Sequence, residues 1–171
     1  MLRRLRRAYM PEGLWDESCA VSGIEWVCSP SRDHYISGNF VMSVRTGNLL
    51  YTAGHLPISS DGHLATGKVG RDVSEGEAIE AARKVAIQLI GTLKHDLGDL
   101  DRIKRVVKLV GFVNCVDGFT GQPKVVNGAS DFFAEVFGER GVHARSAVGT
   151  NALPLNVPVE IEAIVEFETQ E

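Results

Sequence analysis

The side chains best suited to chemistry gather near the carboxy terminus, in the run His143-Ala-Arg-Ser-Ala-Val and in the acids that follow it. Arg145 carries a planar, permanently charged guanidinium whose fork of donors matches a carboxylate in two parallel hydrogen bonds. The same group can serve as a salt-bridge residue at a subunit interface, with Glu160 or Glu162 as the acid. Glu160, Glu162, Glu166 and Glu168 share one side of their segment; a carboxylate there can manage a proton, stand in solvent at a strand edge or lie at an interface. His143 falls on the same side of its strand as Arg145 by the alternation of extended chain, which makes it a pocket candidate. His55, directly after Ala53-Gly54, is a second, since imidazole titrates near neutral pH; a satisfied or solvent-exposed loop histidine is the alternative. His34, His63 and His95 have no companions that would complete a ligand set, no Cys-x-x-Cys pair occurs, and no metal site is read. Cys19, Cys28 and Cys115 are too few and too unevenly spaced for a disulfide framework, and Cys115 reads as a small apolar core residue.

These residues need elements to hold them. Residues 40–45, a Thr46-Gly47-Asn48 turn and residues 49–53 read as a β-hairpin. Residues 54–70 are broken by glycine and proline and contain Asp61-Gly62, which marks a loop with a turn. Ser74-Glu75-Gly76-Glu77 has the form of a capping box, where hydroxyl and carboxylate satisfy the unpaired amides of a helix start. Ile79, Ala82, Ala86, Ile90, Leu93 and Leu97 then recur at spacings of three and four, and Gly98 supplies the stop. Residues 103–114 form a strand buried on at least one face. A second helix carries Val125, Val126, Ala129, Phe132, Phe133, Val136 and Phe137 on one side and closes at Gly138. Residues 143–148 and 158–168 complete the set; the last alternates Val159, Ile161, Ala163, Val165 and Phe167 against acids, the pattern of a half-buried strand.

The implied fold class is α/β (α+β): a mixed β-sheet with two helices packed on one face. The other sheet face needs cover, and a symmetric oligomer is the economical way for a small protein to provide it. The chain of 171 residues is sized for one domain, and its hydrophobic fraction of 44% and charged fraction of 23% are those of a globular protein. A net charge of -4 argues against broad nucleic-acid binding, which rests on clustered Lys and Arg. No apolar run reaches the length of a membrane-spanning helix. Residues 1–36 read as an amino-terminal extension and 37–171 as the domain. Arg3, Arg4, Arg6 and Arg7 resemble the start of an organelle transit peptide, but Glu12, Asp16 and Glu17 follow closely. A cytoplasmic protein is the expectation, with a mitochondrial address as the alternative, or an overextended start with Met10 as initiator.

The stretch from His143 through Ala-Arg-Ser-Ala-Val-Gly-Thr-Asn-Ala-Leu-Pro to Val-Pro-Val-Glu-Ile-Glu-Ala-Ile-Val-Glu resembles the signature of the Rid, or YjgF-like, family of reactive intermediate (imine and enamine) deaminases, also called the endoribonuclease L-PSP family. Gly38-Asn-Phe-Val, Arg45-Thr-Gly-Asn-Leu-Leu-Tyr-Thr-Ala-Gly and the helix from Asn127 to Phe133 stand in the order that family would have, so the resemblance covers residues 37–171. It implies a chorismate-mutase-like fold, a homotrimer whose sheets line a central β-barrel, ligand clefts between subunits, and no cofactor. The implied reaction is hydrolysis of 2-iminobutanoate- or 2-iminopropanoate-like acids, including 2-aminoacrylate, to a keto acid and ammonia.

The resemblance also implies roles. Arg145 holds the substrate carboxylate, and Glu160, just before Ile-Glu, places and deprotonates water, with positioning supplying most of the acceleration. Phe40, Ala53, Asn127 and Ala147 stand at substrate-binding positions. Phe40 replaces a Tyr, Ala53 a Ser and Ala147 a Cys, while His143 stands where the signature prefers a small residue or Pro. Two other functions remain open: a non-catalytic module that binds or senses a keto or fatty acid through the same arginine, and an endoribonuclease or translation inhibitor, against which the acidic charge counts.

Overall fold

The computed structural model describes residues 39–169. The expected extension, residues 1–36, lies outside the described residues. In chain order the elements are β1 (Ser43–Thr46), β2 (Leu49–Thr52), α1 (Glu75–Leu97), β3 (Ile103–Asn114), α2 (Gln122–Phe137), β4 (Ala144–Thr150) and β5 (Val159–Phe167). The five strands form one sheet in the order β1-β2-β5-β3-β4. Only β3 and β4 run parallel, because α2 lies between them in sequence and carries the chain back across the sheet.

Local chemistry explains the boundaries. Gly47, at φ +57, is the first residue of the two-residue turn between Thr46 and Leu49, the position that such hairpin turns reserve for glycine. β1 begins at Ser43, later than the sequence pattern indicates. The hairpin ladder ends with the amide of Ala53 on the carbonyl of Met42, since the chain then crosses to β5, where His55 bridges Ile161. Phe40 and Val41 are left half-exposed outside the strand, at 51% and 61%. The capping box forms: the Ser74 hydroxyl accepts from the Glu77 amide, and the Glu77 carboxylate accepts from the Ser74 amide. In the loop, the Asp61-Gly62 turn closes through Gly62 N–H on the Ser59 carbonyl at 2.9 Å. β4 begins at Ala144, so His143 stands just before the strand.

The core lies between helices and sheet. All seven apolar positions read for α2 are buried. The buried stripe of α1 is broader than six residues at single spacing: Ala78, Ala81, Val85 and Leu89 join it, while Ile79 is only half-buried. Alanines there bring the helices together until Gly128 touches α1, where an added Cβ would stand 2.1 Å from the Ile79 carbonyl oxygen. β5 alternates as its sequence demands, with Val159, Ile161, Ala163, Val165 and Phe167 buried beneath the helices.

The opposite sheet face is uncovered within one copy and mixes apolar side chains with acids. Register places Phe112 between Glu160 and Val148, Val110 between Glu162 and Ser146, and Ile164 beside Tyr51. Val44, Tyr51 and Val148 are 56%, 40% and 47% exposed. Among the described residues no helix is long and apolar enough to cross a membrane.

Candidate active site: two half-sites on opposite faces

Strand β4 holds Arg145 on the helix side of the sheet: its neighbour on β3 is Leu109, which is fully buried under the helices and pairs onward with Ala163. The guanidinium lies along α2. Nη1 donates to the Asn127 side-chain oxygen at 2.8 Å and to the Ser130 hydroxyl at 2.9 Å, and Nη2 donates to the Pro123 carbonyl at 3.1 Å. Pro123, Asn127 and Ser130 are spaced by four and three, so one stripe of α2 receives the whole group. All these acceptors are neutral, and among the described residues of one copy Arg145 has no acidic partner. A guanidinium has five N–H donors, and those left over are on Nε and Nη2. These adjacent nitrogens are the pair that a carboxylate bridges side-on.

His143 joins this cluster from the other side of Ser130. Its Nδ1 donates to the Gly141 carbonyl at 2.6 Å and its Nε2 lies 3.0 Å from the Ser130 hydroxyl. A carbonyl can only accept, so Nδ1 carries the proton; the neutral ring's Nε2 accepts from the hydroxyl. Burial, and secondarily the positive charge of Arg145, hold its pKa below the ordinary imidazole value. The shared side of His143 and Arg145 follows from alternation, as the sequence indicates. Ser130 is not legible as a site residue by type, although its spacing of three from Asn127 places both on one side of α2. Ala147 faces the same way as Arg145, pairing with Gly111 and packing against the core edge.

Glu160 stands on the opposite face. Its neighbour on β3 is Phe112, and its carboxylate lies over Gly54 so closely that an added Cβ there would be 1.8 Å from Oε1. Burial, then the nearby negative charge of Glu162, raise its pKa above the ordinary carboxylate value. Gly54 and Ala53 line an open hollow with Phe40, Val44 and Tyr51. The structure therefore brings Glu160, Ala53 and Phe40 together on one face, and Arg145, Asn127 and His143 on the other. His55 joins neither. It is 4% exposed, with Nδ1 against the Ala53 carbonyl and Nε2 against the Thr92 hydroxyl, each at 2.8 Å; it secures the loop to α1. Among the described residues no cluster of His, Cys, Asp and Glu is arranged to hold a metal.

A mixed sheet in this strand order, backed by two helices on one face, defines a chorismate-mutase-like α+β protein. The family model "YjgF/chorismate_mutase-like, putative endoribonuclease" matches residues 32–166, and the chain belongs to that family. Protein TCP17 of Trypanosoma cruzi is 46% identical over 130 residues, 75% of this chain and 81% of that protein. RutC family protein PH0854 of Pyrococcus horikoshii is 30% identical over 135 residues, 77% of this chain and 89% of that protein. The crystal structure of Atu1372 from Agrobacterium tumefaciens, a protein of unknown function, superposes with a TM-score of 0.74 at 50% identity, covering 77% of this chain and 83% of that one.

Proposed function

We propose that the protein hydrolyses small 2-imino carboxylates, the tautomers of enamines such as 2-aminoacrylate, to 2-oxo acids and ammonia in clefts between copies of the chain. The observation that carries this reading is Arg145, whose charge meets only neutral acceptors and whose donors on Nε and Nη2 remain for a carboxylate.

The carboxylate held there fixes the position of the adjacent imine carbon. Glu160 takes a proton from water as the water oxygen bonds to that carbon and the C=N electron pair moves to nitrogen. The proton then passes to nitrogen. The remaining hydroxyl passes its proton by way of Glu160 to the same nitrogen as the C–N bond breaks, so that nitrogen leaves as ammonia and the carbonyl forms. Water and imine supply every atom, and no cofactor enters. The raised pKa suits Glu160 to this, since a base works best with a pKa close to the working pH.

Arg145 and Glu160 face opposite sides of their own sheet, so this chemistry needs the arginine of one copy beside the glutamate of another. The exposed apolar face around Val44, Tyr51 and Val148 favours such packing. A homotrimer closed around a barrel of sheets, as in the resemblance, is the assembly we propose. The same separation gives a second reading some support: the arginine edge alone could bind a keto or fatty acid without catalysis. RNA cleavage has less, given a net charge of -4.

The test is ammonia release from freshly generated 2-aminoacrylate by wild type, Arg145→Ala and Glu160→Gln. The proposal expects acceleration by wild type and a loss of roughly hundredfold or more in each variant. A wild-type rate equal to that of buffer overturns the deaminase reading and leaves the binding module.

A further inference from the structure

The Arg145 cluster includes two side chains that the reaction does not consume. Ser130 sits between Arg145 and His143, with its oxygen 2.9 Å from Nη1 of one and 3.0 Å from Nε2 of the other. A hydroxyl has one proton to give, and what receives it decides which way the oxygen's lone pairs face. The Gly141 carbonyl fixes the His143 proton on Nδ1, so Nε2 is the acceptor. Packing of the ring edge against Phe133, 6.2 Å between centroids, holds it in that orientation.

We propose that Ser130 and His143 are positioning residues for Arg145: the neutral imidazole takes the Ser130 hydroxyl proton, and the Ser130 oxygen thereby presents its lone pair to the guanidinium. This deepens the reading of Arg145 as a carboxylate clamp and rests on it. The hydrogen bond from Ser130, together with those to Asn127 and Pro123, keeps Nε and Nη2 turned to the ligand. A protonated His143 has no acceptor at Nε2. Its new N–H then points at an oxygen that already accepts from Arg145, and two cations face each other across one hydroxyl. The lock opens and carboxylate capture weakens on acidification. The groups packed against His143 define this response: Arg145 from β4 is the charged one, while α2 presents Ser130 and Phe133 and the preceding turn presents the Gly141 carbonyl.

The experiment titrates pyruvate, a stable 2-oxo carboxylate, into the full-length protein by calorimetry between about pH 5 and 8, the range where imidazole titrates. The His143 ring nitrogens are followed by 15N NMR over the same range. Expected for wild type is a loss of affinity of about tenfold on acidification, with a midpoint matching the His143 ring and below its ordinary value. His143→Gln, whose amide oxygen can still accept from Ser130 but which does not titrate, is expected to give a flat profile across the range. Ser130→Ala should bind about tenfold more weakly and Ser130→Thr should restore binding. A flat wild-type profile, or a slope that persists in His143→Gln, overturns the proposal. Arg145→Ala separates the two claims. If it binds pyruvate as wild type does, the clamp itself fails; if it abolishes binding while Ser130→Ala and pH change nothing, only the positioning role fails.

Discussion

Arg145 and Glu160 project from opposite faces of the sheet that carries both. Arg145 pairs across β4 and β3 with Leu109, whose side chain is buried beneath the helices, whereas Glu160 pairs with Phe112 on the face left open. Leu109 and Phe112 are an odd number of residues apart on one strand, so their side chains leave opposite surfaces.

The approach of Gly54 to Glu160 predicts a functional lesion with little structural cost. An added Cβ would overlap Oε1, Cδ and Cγ of Glu160, at 1.8, 2.7 and 2.9 Å, all in one side chain that must swing away as a whole. Gly54→Ala should therefore keep its melting temperature close to that of wild type while ammonia release falls by about tenfold or more. Thermal unfolding and a rate measurement on the same sample check both halves.

Gly128 predicts the opposite outcome. Its missing Cβ lets α2 lie against the backbone of Ile79, where 2.1 Å of clearance leaves no side chain to give way. Gly128→Ala should destabilise the protein by about 1–3 kcal/mol, read from denaturant unfolding, because the helices must part. A neutral or stabilising effect would mean that the helices pack less tightly than described.

Much of this architecture is legible in the sequence, and the reasons are local. Ser74 and Glu77 announce the start of α1 because a capping box is satisfied by residues three apart. The alternation of Val159 through Phe167 announces the buried face of β5 because side chains in a strand have a period of two. That alternation also places Glu160 outward. The side taken by Arg145 is not legible, since β4 is an edge strand of mixed burial, and its facing follows only from its register with β3. Ser130 is not legible for a similar reason: serine in a helix carries no signal by type, and its contact with Arg145 emerges only from where α2 lies. His55 is legible as a residue near the cleft but not as an inward one, because the bond to Thr92 joins residues far apart in the chain.

Two opposed pH effects on stability follow from the shifted groups. Glu160 has a folded pKa above its ordinary value, so the folded state holds its proton more tightly, and stability is lost as pH rises from the ordinary value through the raised one. Glu160→Gln should remove this loss and melt above wild type at neutral pH, despite being inactive. His143 has a folded pKa below its ordinary value. Its contribution is fully present above the ordinary imidazole pKa and is lost as pH falls through the lowered one. His143→Gln should therefore flatten the acid side of the melting profile, measured by circular dichroism.

The central claim is that the clamp of one copy works with the base of another, and mixing two inactive variants tests it most directly. Arg145→Ala retains Glu160, and Glu160→Gln retains Arg145. Unfolded together in equal amounts and refolded, they should form hybrid assemblies in which roughly a quarter of the clefts pair an intact arginine with an intact glutamate. The account predicts ammonia release at roughly a quarter of the wild-type rate from that mixture, and none above background from either variant alone. An active wild type whose refolded mixture stays at the level of the single variants would contradict it.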